Sequence, residues 1–129
     1  MASVKEISSD KPFAVGNDLV FLPEFTKSLT EAFKKKVYTP AETSYCDTFS
    51  DPLLRFASTW AAKEAVYKAI KQLDSKPLGW NQIEISRERP GGKPHVMVHQ
   101  HVPGRFKISL SISHDGNYIW AIAFAEINH

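Results

Sequence analysis

Residues Ser50 to Leu73 read SDPLLRFASTWAAKEAVYKAIKQL, and this stretch decides the fold. Ser50 and Asp51 supply a helix cap, and Pro52 suits the first helical position, where its missing N–H would be unpaired anyway. They open the longest helical segment of the chain, Leu53 to about Leu73. At 100° per residue, Trp60, Glu64 and Lys68 fall on one stripe. Alanines beside that stripe would let another group approach closely.

Beyond Asp74 the period changes from helical to alternating. Ile83 to Arg87 alternates, Pro90-Gly91-Gly92-Lys93 is a turn, and Val96 and Val98 alternate again in a second strand. After a loop at Val102-Pro103-Gly104-Arg105, Ile108, Leu110 and Ile112 alternate against Ser109, Ser111 and Ser113. Asp115-Gly116 is a hairpin turn signal. Tyr118 to Ile127 is apolar on both faces until Glu126, so it reads as a central strand or one covered by a partner subunit.

Upstream, Thr39, Pro40 and Glu42 form a capping-box start for a shorter helix. Pro23 opens another, expected to run through Glu24 to Lys36 with Phe25, Leu29, Ala32 and Phe33 on one face. Phe13 to Leu22 reads as a strand broken near its middle by Gly16. Residues 1 to 12 are polar and expected to be a flexible N-terminal segment, leaving 13–129 as a single domain. There is no internal repeat. Helices gathered before strands predict an α+β fold, an antiparallel sheet packed against one long and shorter helices.

Composition narrows the function classes. A length of 129 residues suits one domain, and 43% apolar with 23% charged residues is ordinary for a globular chain. Sixteen Lys plus Arg against fourteen Asp plus Glu is too balanced for a dedicated nucleic-acid binder. Cys46 stands alone, which excludes an intramolecular disulfide framework. The longest apolar run is the eight residues from Tyr118 to Ala125, far short of the roughly 20 that span a bilayer. The first residues lack the apolar core of a signal peptide. The expectation is a soluble, cytoplasmic protein with neither nucleic acid nor membrane as partner.

Four features bear on chemistry. Asp18, inside Val15-Gly16-Asn17-Asp18-Leu19-Val20, must face water on an edge strand or find a partner. Glu64 and Lys68 taken alone are an ordinary i,i+4 pair worth roughly 0.3–0.5 kcal/mol. His95, His99 and His101 share strand parity with Met97, which a transition-metal site would use. The same parity arises if Val96 and Val98 point into the core, and no cysteine or carboxylate completes a ligand set. Lys34-Lys35-Lys36 offsets a helix dipole or receives an acidic partner.

Taken jointly, the segments from Val15 to Glu126 resemble the phosphopantetheinyl transferases of the holo-acyl-carrier-protein synthase type. Gly16-x-Asp18 matches the family's opening motif, and Val37 to Glu42 with Tyr45-Cys46 resembles its second segment. Trp60-Ala61-Ala62-Lys63-Glu64-Ala65-x-x-Lys68-Ala69 matches its signature helix. Gly92-Lys93-Pro94 and Ser111-Ile112-Ser113-His114 match the two strand-end motifs. The wording around Trp60 is especially similar to the transferase domain of fungal-type fatty acid synthases. A departure is Thr59, where bacterial stand-alone members often carry arginine.

The resemblance implies transfer of 4′-phosphopantetheine from coenzyme A to a serine of an apo acyl-carrier protein or carrier domain, releasing 3′,5′-ADP. It implies Asp18, Glu64 and Lys68 as catalytic residues, with Asp18 and Glu64 holding Mg²⁺. Lys63, Lys68, Lys93, Pro94, Ser113 and His114 would line the coenzyme site. It further implies a homotrimer with active sites between subunits. The alternative is a non-catalytic coenzyme A-binding module of the same fold.

Overall fold

A computed structural model describes residues 13–99 and 104–128. The expected flexible segment over 1–12, His101, and the loop residues Val102 and Pro103 lie outside the described residues. The order is β1 (Phe13–Phe21), α1 (Leu22–Ser28), α2 (Glu31–Val37), α3 (Pro40–Asp47), α4 (Pro52–Leu73), a 3-10 turn (Trp80–Gln82), β2 (Ile83–Arg87), β3 (Pro94–Val98), β4 (Phe106–Asp115) and β5 (Tyr118–Ile127). An antiparallel sheet of order β1-β5-β4 lies across α4, and β2 and β3 form a two-stranded ribbon beside it. The α+β expectation is met. None of the described helices is long and apolar enough to cross a membrane.

Small residues bring the layers together. Ala57, Ala61, Ala62, Ala65 and Ala69 of α4 are buried, and so are Ala121, Ala123 and Ala125 of β5. Gly16 pairs with Ala123. A Cβ at Gly16 would collide with the Ala65 carbonyl oxygen and sit 2.7 Å from the Ala69 amide nitrogen. The expected break in the first strand is therefore absent: β1 runs straight through Gly16. Glycine serves there to let strand and helix backbones touch, not to bend the strand.

The single helix expected over Glu24 to Lys36 is two. Leu29 ends α1, and Thr30 restarts the chain as an N-cap whose hydroxyl accepts from the Phe33 amide. A side chain able to satisfy that amide competes with helix continuation. The break turns Ala32 to solvent, although Phe25 is buried and Leu29 and Phe33 pack on the core as expected. The capping box at Thr39 and Glu42 forms with both bonds present, and Asp51 caps α4 through the Leu54 amide.

β5 is the central strand. Its Ile119, Ala121, Ala123 and Ala125 face α4, whereas Tyr118, Trp120 and Phe124 are exposed. They continue a face formed by Phe13, Val15, Leu19 and Phe21 of β1, with Phe13 stacked on Phe124 and Phe21 against Tyr118. Leu19 is 61% exposed and Trp120 47%.

Gly16→Ala should be severely destabilising, because neither neighbour is a movable side chain. Overpacking of this kind costs about 3 kcal/mol, and a lower midpoint of urea unfolding with an unchanged slope would register it.

Candidate active site

The contact between β1 and α4 places charged groups as well as backbone. Asp18 lies two residues beyond Gly16 and so on the same, helix-facing side of β1. Glu64 precedes Ala65, and Lys68 precedes Ala69. Lys68 Nζ donates to Asp18 Oδ1 and to the Asn17 carbonyl oxygen, each at 3.0 Å. The Asp18 side chain is only 11% exposed, whereas that of Lys68 is 51% exposed.

Burial pushes the Glu64 carboxyl up to about 7, helped by its hydrogen bond with Asp18 and by the Asp18 charge, while Lys68 pulls it down. Two carboxyls in contact thus need a proton or a cation between them. Asp18 and Glu64 open into a cavity of about 300 Å³ that Phe25, Phe33 and Trp60 help to wall. Trp60 is fixed edge-on by Phe33 at 5.2 Å and by Trp80 at 4.8 Å, which keeps an apolar surface beside the acids.

A second cavity, of about 210 Å³, gathers Gly92, Pro94, Ser113 and His114 with Arg55, Ser58 and Arg87. Three of the residues expected along the coenzyme (Pro94, Ser113 and His114) therefore do meet, while Lys93 is exposed between its neighbours and is not among the lining residues. Arg55 and Arg87 were not foreseen. Neither belongs to a motif, and only folding carries a helix residue and a strand end to one pocket. This cavity and the carboxylate cavity share no lining residue within one chain.

Lys63 is a correction. It was expected to line the coenzyme site, but its side chain is fully buried, with Nζ 2.6 Å from Glu42 Oε1 and also donating to the Ile83 carbonyl oxygen. Glu42 in turn accepts from the Thr39 and Ile85 amides. Burial lowers the Lys63 ammonium's pKa and the Glu42 carboxylate opposes that shift. One residue from Glu64 is 100° around the helix, which turns Lys63 inward. Thr59 is also buried, with its hydroxyl 3.7 Å from Cys46 Sγ.

Among the described residues the histidine face of β3 holds no ligand set. His95 lies 3.9 Å from Glu88 and His99 3.5 Å from Glu84, both at the surface. Among the described residues no group of three or more His, Cys, Asp or Glu could hold a metal ion. The Asp18–Glu64 pair fits an ion that takes few protein ligands. Mg²⁺ commonly uses one or two carboxylates and fills its octahedron with phosphate and water.

Residues 14–123 match the 4′-phosphopantetheinyl transferase superfamily, and the chain belongs to it. Within that class it is an enzyme of the holo-[acyl-carrier-protein] synthase type. A holo-[acyl-carrier-protein] synthase of Koribacter versatilis is 36% identical over 121 residues, covering 86% of this chain and 95% of the relative. That of Chlorobaculum tepidum is 39% identical over 116 residues, covering 87% and 97%. The solved Chronobacterium ammoniagenes ACPS–CoA complex superimposes with a TM-score of 0.79 at 28% identity, covering 92% of this chain and all of that one. A Bacillus anthracis holo-(acyl-carrier-protein) synthase in complex with CoA (3′,5′-ADP) gives 0.73 at 26% identity, covering 89% and 96%.

The raised Glu64 carboxyl sets a pH dependence. In the absence of divalent cations the folded state holds this proton more tightly than the unfolded chain does. Stability should therefore fall as pH rises from about 4.5 to 7 and level off above. Glu64→Gln should remove that decline and exceed the parent in melting temperature at pH 8, as calorimetry without added metal would show.

Proposed function

We propose that this chain transfers 4′-phosphopantetheine from coenzyme A to a serine of an apo acyl-carrier protein or carrier domain, with Mg²⁺, and releases 3′,5′-ADP. The observation that carries the reading is the convergence of Asp18 and Glu64, from β1 and α4, on one cavity, with Lys68 of α4 bound to Asp18. Asp18 and Glu64 would hold the ion, which when bound supplies Lewis-acid stabilisation of a diphosphate and a template for it.

The protein's own groups account for the rest. Lys68, released from Asp18, sets a compact positive charge against the phosphate oxygens. The serine oxygen forms a bond to the phosphorus that carries pantetheine, and the bond from that phosphorus to the 3′,5′-ADP oxygen breaks. The serine proton leaves to a base. Glu64 is one candidate by position, and a water in the same cavity is the other. The aromatic wall of Phe33 and Trp60 keeps bulk water from that side of the carboxylates and so strengthens each electrostatic contact.

A homotrimer belongs to the same proposal. The open face of β1 and β5 carries Phe13, Val15, Leu19, Phe21, Tyr118, Trp120 and Phe124, an apolar surface of the kind that marks an association site. Burying it against further copies would bring the Arg55–His114 cavity of one chain towards the carboxylates of another. This would unite two half-sites that lie apart in a single chain.

Incubation with coenzyme A, Mg²⁺ and an apo carrier should add the mass of phosphopantetheine to the carrier. Glu64→Gln should cut the rate at least a hundredfold with the fold retained, because a neutral amide is a weak magnesium ligand. A carrier whose mass is unchanged beside a coenzyme A-stabilised protein would leave the binding module instead. Trp120→Glu should shift the sedimentation coefficient from trimer to monomer and abolish transfer together.

A further inference from the structure

Two side chains of α4, one turn apart, close the open edge of β1. In the order β1-β5-β4, β1 has β5 on one side and, among the described residues, no strand on the other. Residues of one parity turn their N–H and C=O groups to that open edge. Val15 and Asn17 share this parity, and both carbonyl oxygens accept from α4. Lys68 Nζ donates to the Asn17 oxygen at 3.0 Å, and Gln72 Nε2 donates to the Val15 oxygen at 2.9 Å. Four residues of helix advance about 6 Å and two of strand about 6.6–6.8 Å, so the two spacings match. The bonds differ in permanence. Lys68 also donates to Asp18 Oδ1, and its side chain is half exposed, so phosphate oxygens can draw its ammonium away. Gln72 carries no charge for a phosphate to attract. Its Nε2 is anchored on its own helix as well, donating to the Lys68 carbonyl oxygen at 3.0 Å. One amide nitrogen therefore joins Val15 of the strand to the backbone of the lysine that must move.

We propose that Gln72 is a positioning residue for the transfer: it holds the edge of β1 on α4 while Lys68 leaves Asp18 for a substrate phosphate, and so keeps Asp18 beside Glu64. The inference rests on the function proposed above and adds the group that steadies the site during that move. Gly16 lets the two backbones touch, but a glycine contact permits closeness without enforcing it. The Gln72 amide supplies a directed bond at the neighbouring residue, three positions from Asp18. With Lys68 turned to the phosphate, the Asn17 oxygen and Asp18 lose their donor from α4, and the bond at Val15 remains. Gln72 itself is exposed, so its amide should add little to the resting fold. Its value lies in the geometry of the acids, where a displacement of about 1 Å is enough to cost a large part of the rate.

The test separates position from stability. Gln72→Met keeps the length of the side chain and removes the donor. Without divalent ion or coenzyme, where Lys68 still closes the edge, its melting temperature should lie within about 2 °C of the parent's. With coenzyme A present, Mn²⁺ serves as a probe because it takes the same oxygen ligands as Mg²⁺ and its binding is read by electron paramagnetic resonance. The variant should bind it about tenfold more weakly than the parent. In the transfer assay kcat should fall about tenfold, with KM for coenzyme A within about twofold of the parent's. Gln72→Lys, which restores a donor of similar reach, should recover most of both. Mn²⁺ affinity and kcat equal to the parent's in Gln72→Met would overturn the proposal. So would a fall in melting temperature that Gln72→Lys repairs without recovering Mn²⁺ affinity, since Gln72 would then be merely structural. The Mn²⁺ titration needs no carrier. A parent that modifies no carrier, yet whose Mn²⁺ affinity depends on the Gln72 donor, would overturn the transferase reading alone.

Discussion

Everything in the site depends on a strand and a helix lying against each other with no side chain between them. Gly16 rests on the backbone of α4 at Ala65 and Ala69, and its paired Ala123 is buried on the same side of the sheet. Glu64 and Lys68 flank those two alanines, and Asp18 follows Gly16 by two residues, so the separation of the backbones also sets the separation of the charges. Residues as small as these bury little apolar area. They permit proximity, while Phe56, Ile70, Ile83 and Ile119 supply much of the buried surface.

Proximity of like charges has an energetic cost that the surroundings divide. Asp18 is compensated by Lys68, whereas Glu64 stands against an apolar wall and rises towards neutrality. Its neighbour in sequence, Lys63, solves the opposite problem. Fully enclosed, it is matched by a carboxylate that two backbone amides also use, since Glu42 ties the start of α3 to α4 and to β2. Removing one partner from such a pair costs about 3–5 kcal/mol, although the intact pair adds little net stability over an apolar replacement. It joins α4 to β2 at two points, through Glu42 to the Ile85 amide and directly at the Ile83 carbonyl oxygen.

Much of this was legible from residue types. Capping chemistry located α3 and α4, alternation located β2 to β4, and the apolar run after the Asp115-Gly116 turn located β5, because these signals act over only a few residues. The stripe of Trp60, Glu64 and Lys68 follows from helical period alone. The break at Leu29–Thr30 was missed since an apolar face continues across it, and only the Thr30 cap marks the restart. Gly16 is legible as special, but along the chain it reads as a break in the strand. A glycine that bends a strand and one that admits a neighbour look the same along the chain.

The sequence by itself determined which segments are helix and strand, which family the chain resembles, and which acids and lysine belong on which element. Tertiary structure decided what those side chains face. It sent Lys63 into the core and Glu64 into a cavity, and it set Arg55 and Arg87, thirty-two positions apart, in one cavity. The reason is one of range. Local geometry fixes the direction of a side chain relative to its own backbone, whereas its partner, its dielectric surroundings and its charge depend on elements that only packing brings near.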